Sequence, residues 1–114
     1  MAGSKGGILH QHIVALVTAW AYWNNYRCIS EDIDMMRYLN TRKKPDFILI
    51  SQKDNSQFIL GEVGDFKPCK WLPLLPVIHL GKNGRITLIN ADNTWNELAK
   101  ELKGSLLSGG IVCY

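Results

Sequence analysis

Residues 45–64 read PDFILISQKDNSQFILGEVG. Two apolar runs each carry one acid near an end, Asp46 and Glu62, and Lys53-Asp54-Asn55-Ser56 separates them. Strand-forming residues on either side of a turn signal predict a hairpin with a loop longer than two residues. In an antiparallel pair, the start of one strand lies beside the end of the next, so Asp46 and Glu62 are expected to meet. Paired carboxylates suit a hard divalent cation, which takes oxygen ligands and often binds through one or two carboxylates plus waters and phosphate. Without a cation they would repel, and one would tend to stay protonated. An arbitrary acid pair on a hairpin is more often just two exposed strand ends. Here Pro45 fixes the approach to Asp46, and Arg42-Lys43-Lys44 place positive charge just upstream. Such a run is usually a solvated loop, but beside paired acids it could steer a phosphate backbone.

These acids need elements to hold them. Residues 8–26 predict a helix, because Ile13, Leu16, Val17 and Trp20 recur on one helical face. Leu9 and Trp23 extend that face, and Asn24-Asn25 ends the helix. Residues 27–31 suit a first strand, and 32–44 suit either an irregular strand or a short helix with a basic loop. DFILIS (46–51) and QFILGEV (57–63) are apolar on both faces, which predicts a sheet covered on both sides. Pro68 can start a short helix that Pro73 and Pro76 keep short. Residues 77–81 and 85–90 are expected strands joined through Lys82-Asn83-Gly84, with Asn-Gly as the turn signal. Thr94-Trp95-Asn96-Glu97 matches a capping box. Leu98 and Leu102 share a face of the helix that follows, and Gly104 is its expected stop. The order helix, strand, hairpin, short helix, hairpin, helix predicts an α/β fold with a mixed central β-sheet flanked by helices.

Composition sets the frame. A chain of 114 residues with 46% hydrophobic and 20% charged residues suits one globular domain with its own core. Residues 1–7 read as a flexible start and 105–114 as a tail that could be an edge strand or a subunit contact. The net charge of +3 permits contact with polyanions without demanding it. Cys28, Cys69 and Cys113 are odd in number, with no CxxC pair and no zinc spacing. They are expected to be reduced thiols in a cytoplasmic setting. The apolar stretch 8–23 is broken by His10, Gln11, His12 and Thr18, so it is too mixed and short for a membrane span. It also lacks the small-residue cleavage site of a signal peptide.

With the elements in order, the chain resembles the PD-(D/E)XK, or restriction-endonuclease-like, nuclease superfamily. The resemblance covers residues 8–103 and rests on Pro45-Asp46 opening a strand and on Glu62-Val63-Gly64 about fifteen residues later. It implies a restriction-endonuclease-like core over a single domain and a small stand-alone protein. It further implies that Asp46, Glu62 and the Val63 carbonyl bind Mg²⁺ (or Mn²⁺), and that nucleic acid, with DNA expected, is cut at phosphodiester bonds. The departure is Gly64, where the family pattern has lysine. Lys70, or less readily Lys67, stands on the segment just after the strand and could replace it. Otherwise the domain would be an inactive relative acting in nucleic-acid binding or assembly.

The remaining candidates follow from that resemblance. Gln11 and His10 are polar residues that the first helix could give to the site, with His12 facing another way. A strand-borne His-x-His would suggest a HUH-type nickase, but Gln11 between the histidines and the helical surroundings argue against it. Glu31 is a possible outer ligand. Arg42, Lys43, Lys44 and Lys67 are the expected backbone contacts. His79 reads as a core or edge histidine. Trp20, Trp23, Trp71 and Trp95 read mostly as core, although Trp71 could stack a base. Cutting both strands usually needs two sites, so a homodimer is expected for the active form, with SGGIVCY as a candidate contact.

Overall fold

Helix α1 (Ile8–Trp23) packs through Ile13, Val17, Trp20 and Ala21, the stripe that the apolar spacing predicts. Each fully buried aliphatic of this kind contributes about 1.5–3 kcal/mol relative to exposure. Our computed structural model describes residues 8–30, 45–54, 57–64, 75–81 and 85–108. The helix is three residues shorter than expected, because Asn24 caps it. The Asn24 side-chain amide donates to the Trp20 carbonyl at 2.7 Å, and its backbone N–H donates to Ala21. Asn25, at φ 63°, then turns the chain in the left-handed region, which asparagine tolerates.

Strands β1 (Tyr26–Ile29), β2 (Phe47–Ser51), β3 (Phe58–Val63), β4 (Val77–Leu80) and β5 (Ile86–Ile89) form one sheet in the order β1-β2-β3-β4-β5. Only β3 and β4 are parallel, so the sheet is mixed, as expected. Ser51 shapes the β2–β3 loop: its hydroxyl accepts from the backbone N–H groups of Lys53 and Asp54. The β4–β5 hairpin is closed by Gly81 N–H donating to the Arg85 carbonyl at 2.7 Å. Its Asn83-Gly84 turn lies outside the described residues, as do the expected short helix near Pro68, Trp71 and residues 109–114 of the expected tail, whose residues 105–108 instead continue the last helix.

The two sheet faces bury separate clusters. Phe47, Leu49, Ile59, Ile78 and Leu80 pack with both described helices. Ile29, Ile48, Ile50, Leu60 and Val77 fill the other face. Both faces of β2 are buried along its whole length, which explains its unbroken apolar run.

Helix α2 (Asn96–Ser108) follows a single 3₁₀ turn at Asn93–Trp95, and it corrects two expectations. The cap is Asp92 rather than Thr94. Asp92 Oδ1 accepts from Thr94 N–H at 3.0 Å and also from the Thr94 hydroxyl. Those bonds hold the Asp92 carboxyl below the usual range. Gly104 does not stop the helix. Leu98, Leu102 and Leu106 continue one buried stripe through it, and that burial outweighs the roughly 1 kcal/mol cost of an internal glycine.

Trp20 and Trp95 are core residues, but Trp23 is not. Tyr22 and Trp23 are 77% and 80% exposed and meet edge to face. Tyr22 points away from the α1 stripe and Trp23 falls at its margin in the last turn, just before the chain turns into β1.

Cys28 on β1 is partly buried, and the Thr18 hydroxyl lies 3.5 Å from its sulfur. Burial pushes the thiol up, against a smaller opposing contribution from Thr18. The folded state therefore favours the neutral thiol. This contribution is complete below the unfolded thiol value near 8.5 and fades as pH rises through the higher folded one. Alkylation needs thiolate. In a Cys69→Ser/Cys113→Ser background at pH 8, Cys28 is expected to react with iodoacetamide several-fold more slowly than in the urea-unfolded chain. Equal rates would contradict the buried, neutral thiol.

Candidate functional site

Glu62 is the one acid among the described residues that is buried, at 3% exposure. It occupies the next-to-last position of β3, between the half-buried Val63 and the fully buried Gly61. Alternation along β3 puts its side chain on the face of Leu60, away from both described helices. Removing a carboxylate from water costs several kcal/mol unless the surroundings compensate. A leucine there would complete the apolar face, so the buried acid makes Glu62 a candidate site residue.

Asp46 stands beside it just before β2. Its backbone N–H donates to the Gly61 carbonyl at 2.8 Å, and its Oδ2 accepts from Val63 N–H at 2.7 Å. Asp46 thus grips β3 on both sides of Glu62. Phe47 is already the register partner of Gly61, so two β2-side residues face one residue of β3. That is a β-bulge, a device found beside active sites that re-aims a side chain and ends a ladder. The expected meeting of Asp46 with the end of β3 is therefore observed.

Gly61 makes this approach possible. A Cβ built there would lie 2.2 Å from Phe47 Cε1 and Cζ, so the aromatic ring occupies the space that a side chain would need.

Gly64 follows Val63 with φ +89°. Its N–H donates to the Leu80 carbonyl at 3.0 Å, so bonding to β4 continues one residue past the end of β3. Nothing lies within 4 Å of a Cβ built at this position. Space would admit a lysine, but the backbone conformation disfavours any L-residue. Gly64→Lys and Gly64→Ala are both expected to lower unfolding free energy by about 1–2 kcal/mol in urea titrations. Equal costs follow because the backbone is responsible. A stabilised Gly64→Lys would show that the turn is not obligatory.

The β3–β4 and β4–β5 registers bring Glu62, His79 and Thr87 into one row across three strands. The His79 ring does not remain in the core. Its Nε2 reaches the Gly64 carbonyl, and its Cε1 lies against Gly81. This fits the sequence reading of His79 as a core or edge histidine, but that reading did not name its partner. Only the parallel β3–β4 register, which no local pattern announces, brings it to Glu62.

The other candidates divide by location. Gln11 and His12 are exposed on α1, which packs against the face opposite Glu62, so they are not grouped with the carboxylates. His10 lies in the first turns of α1, and its side chain is outside the described set. Lys70, Lys67, Glu31, Arg42, Lys43 and Lys44 all fall outside the described residues. Among the described residues, no three His, Cys, Asp or Glu side chains form a metal-holding group by themselves. Nor is any helix there long and apolar enough to cross a membrane. No family model matches the chain, and neither the curated proteins nor the solved structures contain a significant match.

Proposed function

We propose that the chain is a metal-dependent nuclease that hydrolyses phosphodiester bonds in nucleic acid, with DNA the expected substrate. The observation that carries this reading is the buried Glu62 at the end of β3, with the Asp46 carboxylate bonded to the very next backbone N–H. The bulge at Asp46–Phe47 and the Pro45-Asp46…Glu62 spacing support it.

The donor chemistry suits Mg²⁺ or Mn²⁺. Two carboxylates and a main-chain carbonyl are hard oxygen donors, and such ions keep waters in their remaining positions. Asp46, Glu62 and the Val63 carbonyl would hold the ion. When bound, it would supply a more acidic water and stabilise charge on the phosphodiester. The chain's own contribution is placement. Asp46 orients the end of β3 through Val63 N–H, and the apolar face around Leu60 keeps bulk water from Glu62. Lys70 is the residue we assign to offset charge on the phosphate. Arg42, Lys43, Lys44 and Lys67 would track the backbone, so binding should weaken as salt rises.

A second reading is a catalytically inactive protein of the same kind, acting in nucleic-acid binding or assembly. Gly64 favours it, since its φ of +89° suits glycine at the family's lysine position. Cleavage of labelled single-stranded, duplex and branched substrates with Mg²⁺ or Mn²⁺ separates the two. Lys70→Ala is expected to cut more slowly, while Lys53→Ala, in the exposed β2–β3 loop, should match wild type. Metal-stimulated cutting that Glu62→Gln leaves untouched would refute the nuclease reading. Glu62-dependent Mn²⁺ binding without cleavage would select the inactive one.

A further inference from the structure

The end of β3 is held by a side chain from each neighbouring strand region. On the β2 side, Asp46 Oδ2 accepts from Val63 N–H at 2.7 Å. On the β4 side, His79 Nε2 meets the Gly64 carbonyl. A carbonyl can only accept, so Nε2 carries the proton and donates. Gly64 N–H already bonds Leu80, while Gly81 N–H turns away to Arg85. The imidazole therefore ends the β3–β4 ladder, much as the Asp46 carboxylate ends the β2–β3 ladder.

Between these two grips lies the Val63 carbonyl, and immediately before them stands Glu62. The Gly64 conformation at φ +89° belongs to this arrangement. It forms the turn at which the Gly64 carbonyl meets the ring. Gly81 gives the ring room: a Cβ there would crowd His79 Cε1 at 3.2 Å.

We propose that His79 is a positioning residue for a divalent cation at Asp46 and Glu62. By holding the Gly64 carbonyl, it fixes the end of β3 so that the Glu62 carboxylate and Val63 carbonyl keep one geometry toward the ion. The inference rests on the cation site proposed above. Its physical basis is general: groups that orient ligands from behind typically alter metal affinity by about 10–100-fold when removed.

The test is Mn²⁺ binding to the full chain by calorimetry, with melting temperature recorded for each variant. His79→Leu, which loses the donor, should bind Mn²⁺ about tenfold more weakly than wild type. His79→Gln, whose amide can donate to the same carbonyl, should recover most of that loss. His79→Leu binding as tightly as wild type, while Glu62→Gln does not, would overturn the inference and leave the cation site standing. Wild type and Glu62→Gln giving the same isotherm would overturn the cation site and the inference with it. Should His79→Leu fail to fold, ¹⁵N spectra of the wild-type imidazole decide. A proton on Nε2 with and without Mg²⁺ is expected, and a proton on Nδ1 would overturn the assignment.

Discussion

Gly61→Ala is expected to lower the free energy of unfolding by about 2–3 kcal/mol, although it adds a single methyl group. The added Cβ would sit 2.2 Å from two carbons of the Phe47 ring, and Phe47 is fully buried. The ring cannot swing into solvent, and its packed surroundings leave little free volume. Either the ring leaves its rotamer or the two strands separate. Each adjustment moves a candidate ligand, because Phe47 follows Asp46 and Gly61 precedes Glu62. Gly61→Ala should therefore also weaken Mn²⁺ binding. Urea titration gives the stability, and the pairing with Phe47→Leu supplies the mechanism. In the double variant, the combined cost should be smaller than the sum of the single costs, since the smaller side chain yields the contested space. Strictly additive costs, or an unaltered Gly61→Ala midpoint, would remove the ring contact as the reason for glycine.

Glu62→Gln is expected to have the largest functional effect. The substitution preserves shape and removes charge from a side chain that is 3% exposed. Mn²⁺ binding should disappear from calorimetry, and metal-dependent cleavage should fall by at least about a hundredfold, the scale seen when a group that stabilises developing charge is lost. The fold should survive. A neutral amide is cheaper to bury than a carboxylate, so the urea midpoint should hold or rise. Loss of metal binding together with loss of structure would instead assign Glu62 to folding. The predicted combination, with chemistry lost and stability kept, is what separates a ligand from a structural acid.

The fold was legible where local composition and burial agree. Ile48, Leu49 and Ile50 are buried on alternating faces, so the apolar run from 47 to 50 announced a covered strand. The α1 stripe was visible in Ile13, Val17 and Trp20 because helical period and packing coincide. Expectations failed where a longer stripe or a neighbouring side chain prevailed. Gly104 looked like a stop until Leu106 extended the buried face beyond it. Thr94 looked like a cap, but the structured turn begins two residues earlier and Asp92 caps it. Trp23 looked apolar enough to be core, yet the helix ended as it reached the margin.

The candidate site divides along the same line. That Asp46 meets the end of β3 could be read from the hairpin alone. The bulge could not, because it depends on Gly61 lacking a side chain where the Phe47 ring lies. Position 64 looked like a missing lysine because a local motif carries no backbone angle. His79 read as a core or edge histidine without a named partner, because that partner lies fifteen residues away across a parallel seam.

That seam also bears on the order of assembly. Four of the five strands belong to two antiparallel hairpins, β2–β3 and β4–β5, and β1 adds to the first by an antiparallel pairing. Hairpins close over short distances and form in microseconds. Joining β3 to β4 instead closes the whole connection from Val63 to Val77, at a higher entropic cost and without the aid of a tight turn. Glu62 and His79 face each other across that junction. The candidate site is thus completed by the parallel pairing in the sheet, and it exists only once both hairpins have docked.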